Sequence, residues 1–135
     1  MHSFRTDVLP ANFSARMGLF SFDAGSSITS GTGYYSYADK VGTGAGRGFT
    51  HNLPLPRGAD FAQWRAALTL ALQGIAKFGA QALIVSLGLD TFEGDPISGF
   101  KLCSDNYLRV GEDIARAGLP TVFVFEGGYA VAELG

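Results

Sequence analysis

Residues 82–100 read ALIVSLGLDTFEGDPISGF. The first six residues, 82–87, form a short, partly β-branched apolar run. Such a run suits a strand buried on both faces. The polar remainder is a loop that opens on Gly88 and carries Asp90. The pattern recurs further on: residues 121–125, TVFVF, read as a second apolar strand, and Glu126-Gly127-Gly128-Tyr129 turns off its end. Each run follows a segment of helical period. Over residues 60–78, Phe61, Trp64, Leu68, Ala71, Leu72, Ile75 and Phe78 form one apolar stripe. Asp60 is placed to cap that helix, Gln63 completes a capping box, and Gly79 stops it. A second helix starts near Ser104, a suitable N-cap. It buries Tyr107, Val110, Gly111 and Ile114, and ends by about Ala117, before Gly118 and Pro120. Helix, strand, helix, strand is the order of a parallel α/β sheet. Such sheets bind ligands beyond the carboxyl ends of their strands. The loops bearing Asp90 and Tyr129 are therefore one joint candidate site.

The sequence divides near residue 33. Residues 1–33 are irregular, with one short strand expected from Met17 to Phe22. From Tyr34 on the pattern is regular. The glycine-dense stretch GTGAGRG, residues 42–48, fits a loop. It matches neither GxGxxG nor GxxxxGK[ST], and it lacks the strand-then-helix setting of a phosphate cradle. Phe49 to Leu53 is a further short strand, ended by Pro54 and Pro56. Of the 135 residues, 47% are hydrophobic and 16% charged, which is the composition of one folded domain. The net charge of −2, with basic residues scattered, argues against a nucleic-acid partner. No apolar run reaches the length of a membrane span. The first residues lack a charged-then-apolar signal pattern. Cys103 is the one cysteine and cannot form an internal disulfide. A cytoplasmic protein with Cys103 partly buried is the expectation.

Two residues of the joint site carry chemistry. A carboxylate just past a buried strand costs free energy unless a cation or several hydrogen bonds stabilise it. Asp90 thus fits either a metal ligand or an organiser of its own loop. A phenol at the tip of a glycine turn can donate to a developing oxyanion. Tyr129 fits that role, or that of a ring packed with its hydroxyl exposed.

Residues 86–102, SLGLDTFEGDPISGFKL, resemble the motif of the histone deacetylase / acetylpolyamine amidohydrolase family in which an Asp supplies a zinc ligand. Residues 118–131, GLPTVFVFEGGYAV, resemble the glycine-rich turn that ends in the family's catalytic Tyr. DNYLRVGEDIARAG between them resembles the intervening helix, and residues 37–58 resemble the loop and strand that precede the motif. The resemblance covers residues 34–135 and suggests the carboxyl-terminal part of one domain. It implies a partial α/β domain of the arginase/deacetylase kind, three-layered, with helices flanking a parallel sheet. It implies zinc as cofactor and hydrolysis of acyl amide bonds in a small acylated substrate. By the same resemblance Asp90 is a zinc ligand, Tyr129 the oxyanion donor, and Ile97 an apolar liner of the acyl channel.

The family's other zinc ligands are an Asp and a His one residue apart, and this chain contains no D-x-H. The family's paired histidines are also missing: the two histidines, His2 and His51, are not adjacent. Three functions are weighed on that basis. One is a deacetylase-type hydrolase with an incomplete metal site. Another is a metal-independent esterase built on Ser86 with His51 or His2, although Ile84 stands where GxSxG requires its first glycine. The third is a folded remnant without catalysis. Each leaves an open strand edge and an apolar sheet face, so a homo-oligomer is expected.

Overall fold

The computed structural model describes residues 19–21, 41, 43, 44 and 47–133. Apart from Leu19–Ser21, the divergent segment 1–33 lies outside the described residues, as do His2 and the boundary near residue 33.

Asp60 sets the start of the first helix. Its Oδ1 accepts from the Gln63 N–H at 2.9 Å, and Gln63 Oε1 accepts from the Asp60 N–H at 3.2 Å. Together they form the capping box legible in the sequence, satisfying two otherwise orphaned donors. Helix α1 runs from Phe61 to Phe78 and ends at Gly79 in the left-handed conformation. Strand β3, Leu83–Gly88, follows, then a single 3-10 turn over Leu89–Thr91. Helix α2 spans Ser104–Ala115 and strand β4 spans Thr121–Gly127. Two shorter strands precede them, β1 over Leu19–Ser21 and β2 over Thr50–Asn52, and they pair in parallel.

Small displacements from expectation have local causes. The cap of α2 is Cys103 and not Ser104, and Asn106 Oδ1 accepts the Cys103 N–H at 2.9 Å. That cap position leaves Cys103 exposed, against the expected partial burial. The helix closes two residues before Ala117 because its end tightens: the Ala117 and Gly118 N–H groups donate three residues back, to Ile114 and Ala115.

Strands β3 and β4 are parallel and adjacent, as their order in the chain implies. Leu83, Val85 and Leu87 point to one face of the pleat. There Leu83 and Val85 pack on a cluster made by Leu68 of α1 with Val110 and Ile114 of α2. Both helices thus cover the same side. Arg65 and Asp113 tie them together through two hydrogen bonds of 2.7 and 2.9 Å. The other face is open among the described residues: Ile84 is 76% exposed and its ladder partner Val122 60%. The strands were expected to be buried on both faces; β3 is covered on one, through Leu83 and Val85, while Val122, Phe123, Val124 and Phe125 of β4 are all exposed. Their composition is that of interior strands, but no described element lies over Ile84 and Val122.

Candidate active site

The site forms where β3 and β4 end. Their ladder slips once: Leu87 pairs with Phe125, but Gly88 pairs with Gly127, leaving Glu126 as an extra residue on β4. Such a bulge re-aims a strand end. Here it sets two glycines side by side, and the Asp90 carboxylate rests against both. A Cβ on Gly127 would lie 2.8 Å from Asp90 Oδ2, and one on Gly88 would lie 2.6 Å from Oδ1. A side chain at either position would push the Asp90 carboxylate aside. The Asp90 carboxylate therefore occupies the space that a Cβ on Gly127, two residues before Tyr129, would enter.

The turn that carries Asp90 is pinned from α2. The hydroxyls of Thr91 and Tyr107 lie 2.8 Å apart, and they reach the carbonyls of Gly88 and Leu89, each at 3.3 Å. Burial pushes the Tyr107 phenol up in pKa. The bond from Thr91 opposes that, and the negative charges of Asp90 and Asp95 add to it. Tyr107 was expected on the buried side of α2 and is half-buried there, but its hydroxyl contact to the Asp90 turn was not legible.

The second tie is Asp95, which is buried, 6% exposed. Its Oδ1 accepts from the Ile97 N–H at 3.0 Å. Its Oδ2 accepts from the N–H groups of Tyr129 at 2.6 Å and Ala130 at 3.1 Å. One carboxylate thus joins the loop after β3 to the loop after β4. Burial alone pushes Asp95 up, but the backbone donors of Tyr129, Ile97 and Ala130 outweigh it and hold the carboxyl below its usual range. Sequence reasoning passed over Asp95. The available signal was Asp-Pro, which favours a turn closed by the Asp side chain two residues on. The bonds to residues 129 and 130 leave no local trace.

Loop 89–103 also has its own anchorage. Leu102 is fully buried and forms a small core with Ala59 and Phe100. The Glu93 N–H donates to the Leu102 carbonyl at 2.8 Å, and the Lys101 N–H donates to the Ala59 carbonyl at 3.1 Å. From this support the apolar side chain of Ile97, 62% exposed, and the ring of Tyr129, 55% exposed, both stand out into solvent.

Other candidates sit elsewhere. Ser86 lies within β3, opposite Val124 in the ladder, on extended backbone. It has no strand-to-helix elbow to present it as a nucleophile, so the esterase alternative gains no support. A cleft of about 520 Å³ between the helices is lined by Arg65, Asp113, Ala80 and Leu119 among others. Ala80 and Leu119 precede the two strands, so this cleft opens at the opposite end of the sheet from Asp90.

A structural or catalytic zinc site uses three or four protein ligands. Among the described residues no group of three or more His, Cys, Asp and Glu side chains is placed to hold a metal ion. Asp90 brings one carboxylate to the rim, which is not by itself a zinc site. The described residues therefore do not fit the complete cofactor.

Fold and site together define an open parallel α/β protein with an acidic and a phenolic side chain on its strand-end rim. The chain belongs to the histone deacetylase family: the family model of the histone deacetylase domain matches residues 31–135. Acetylpolyamine amidohydrolase 2 of Pseudomonas aeruginosa is 54% identical over 102 residues, 76% of this chain and 30% of that protein. The acetylpolyamine amidohydrolase of Mycoplana ramosa is 52% identical over the same length and shares. The crystal structure of acetylpolyamine aminohydrolase from Burkholderia pseudomallei superposes with a TM-score of 0.71 at 38% identity, covering 73% of this chain and 29% of that one. The chain thus spans about 30% of the length of the curated relatives it matches.

Proposed function

We propose that this chain supplies part of the active site of a hydrolase that cleaves acyl amides of small amines, acetylated polyamines being the substrate class its relatives' names suggest. The observation that carries this reading is the shared rim. The Asp90 carboxylate lies against Gly127, and Asp95 binds the Tyr129 N–H. Tyr129 donates its phenolic hydrogen to the oxygen of the acyl carbonyl as that oxygen gains negative charge, an interaction stronger in the transition state than in the ground state. Ile97, exposed on the neighbouring loop, flanks the acyl group with apolar surface. Asp90 is assigned to zinc as one ligand of a set whose other members the described residues do not supply.

The test is hydrolysis of acetylputrescine by the purified protein, with zinc content measured on the same sample and the assay repeated after chelation. Acyl-amide turnover that chelator abolishes and zinc restores supports the proposal. A protein that binds no zinc and releases no acetate is a folded, non-catalytic member of the family, and the proposal then fails.

A further inference from the structure

We infer that Asp95 is a positioning residue that sets Tyr129, the proposed oxyanion donor, in register with Ile97. The inference rests on the acyl-amide reading above and deepens it, because it names what holds the donor in place.

Tyr129 has no regular secondary structure of its own. Strand β4 ends at Gly127, and Gly128 takes a φ of 137°. A side chain carried on glycine backbone is free to swing unless something fixes the peptide that follows. Asp95 Oδ2 does so by accepting two consecutive N–H groups, those of Tyr129 and Ala130. The other oxygen accepts the Ile97 N–H, so both lips of the rim hang from one carboxylate. Charge-assisted bonds of this kind are short and strong, and a buried carboxylate requires them. Asp95 is itself held: its N–H donates to the Phe92 carbonyl and its carbonyl accepts the Ser98 N–H, at 3.0 and 3.1 Å. Asp95 is buried, whereas Ile97 and Tyr129, whose N–H groups it accepts, are both more than half exposed. Asn cannot replace it. An amide has one acceptor oxygen, and its NH2 would face N–H donors on the other side.

Two readouts decide the matter. In Asp95→Asn, the amides of Tyr129 and Ala130 should exchange with solvent about tenfold faster or more, while those of Val85 and Leu87 in β3 keep their protection. Unchanged exchange at residues 129 and 130 overturns the inference. If Asp95→Asn does not fold, the wild-type protein carries the same test. Tyr129 and Ala130 must then exchange more slowly than Val131 and Ala132, and equal rates overturn it. In the acetylputrescine assay, Asp95→Asn should lower kcat about tenfold or more with KM little changed. The same substitution in a Tyr129→Phe background should cost nothing further, because the residue acts through Tyr129. Equal losses in both backgrounds mark a merely structural residue. Absence of turnover in the wild-type protein refutes the amide-hydrolysis reading alone, and the exchange measurement still decides the placement of Asp95.

Discussion

Gly127 and Asp95 define the rim from opposite sides, one by what it lacks and the other by what it accepts. A methyl group on residue 127 would stand 2.8 Å from Asp90 Oδ2, and the short Asp side chain would have to swing away. Gly127→Ala is therefore expected to leave the melting temperature nearly unchanged while lowering acyl-amide turnover about tenfold or more. Wild-type kcat in that variant would show that the position of Asp90 does not matter. Asp95 makes a separate prediction about acid. Its folded pKa lies below the ordinary carboxylate value, so the unfolded chain binds more protons near that value. Its contribution to stability is complete above about pH 4 and is lost as pH falls through the folded pKa. Asp113 behaves in the same way, its hydrogen bond with Arg65 being the main cause. Urea midpoints should fall from pH 5 to pH 3, and Asp95→Asn should make that fall shallower. Parallel curves for the two proteins would contradict the assignment. The positions of Asp90 and Tyr129 just past the ends of two apolar strands were legible in the sequence. The grip of Asp95 on residues 34 and 35 positions away was not, because contacts between loops impose no period on the residues between.

The helices show where sequence periodicity suffices. Leu68 falls on the stripe read from spacing, is 4% exposed, and joins Val110 and Ile114 of α2 in one cluster. Leu70, two positions on, falls off the stripe and is 58% exposed. Leu68→Ala should cost about 2–5 kcal/mol of unfolding free energy by removing buried methyls and leaving a cavity. Leu70→Ala should stay within about 0.5 kcal/mol. Equal losses from the two in urea titrations would mean that α1 packs on another face. The long elements were readable because their length repeats a signal several times. The parallel pairing of β1 with β2 was not, since strands of three residues leave too little alternation to fix a partner. The bulge at Glu126 was equally silent, because one extra residue in an apolar strand looks like its neighbours.

Among the described residues, apolar strand side chains that a composition like this would normally bury stand exposed. Ile84 and Val122 share the open sheet face, and Phe125 at the end of β4 is 71% exposed. Apolar strands of this kind in water are interaction surfaces or aggregation hazards. We propose that a second copy of the chain covers the open face. Sizing with light scattering should give a dimer or larger species, and Ile84→Glu with Val122→Lys should shift it to monomer. A monodisperse wild-type monomer would refute this. The expected covering of both faces failed because the sequence records the apolar character of a strand but not the element that lies over it.

In the proposed reaction one rim brings a carboxylate and a phenol to the same acyl group. Acetylputrescine turnover by Tyr129→Phe tests it most directly, since removing one oxygen leaves the ring and its packing intact. The expected result is a loss in kcat of about a hundredfold, the usual effect of deleting an oxyanion donor, with KM nearly constant. Turnover equal to wild type would contradict the account.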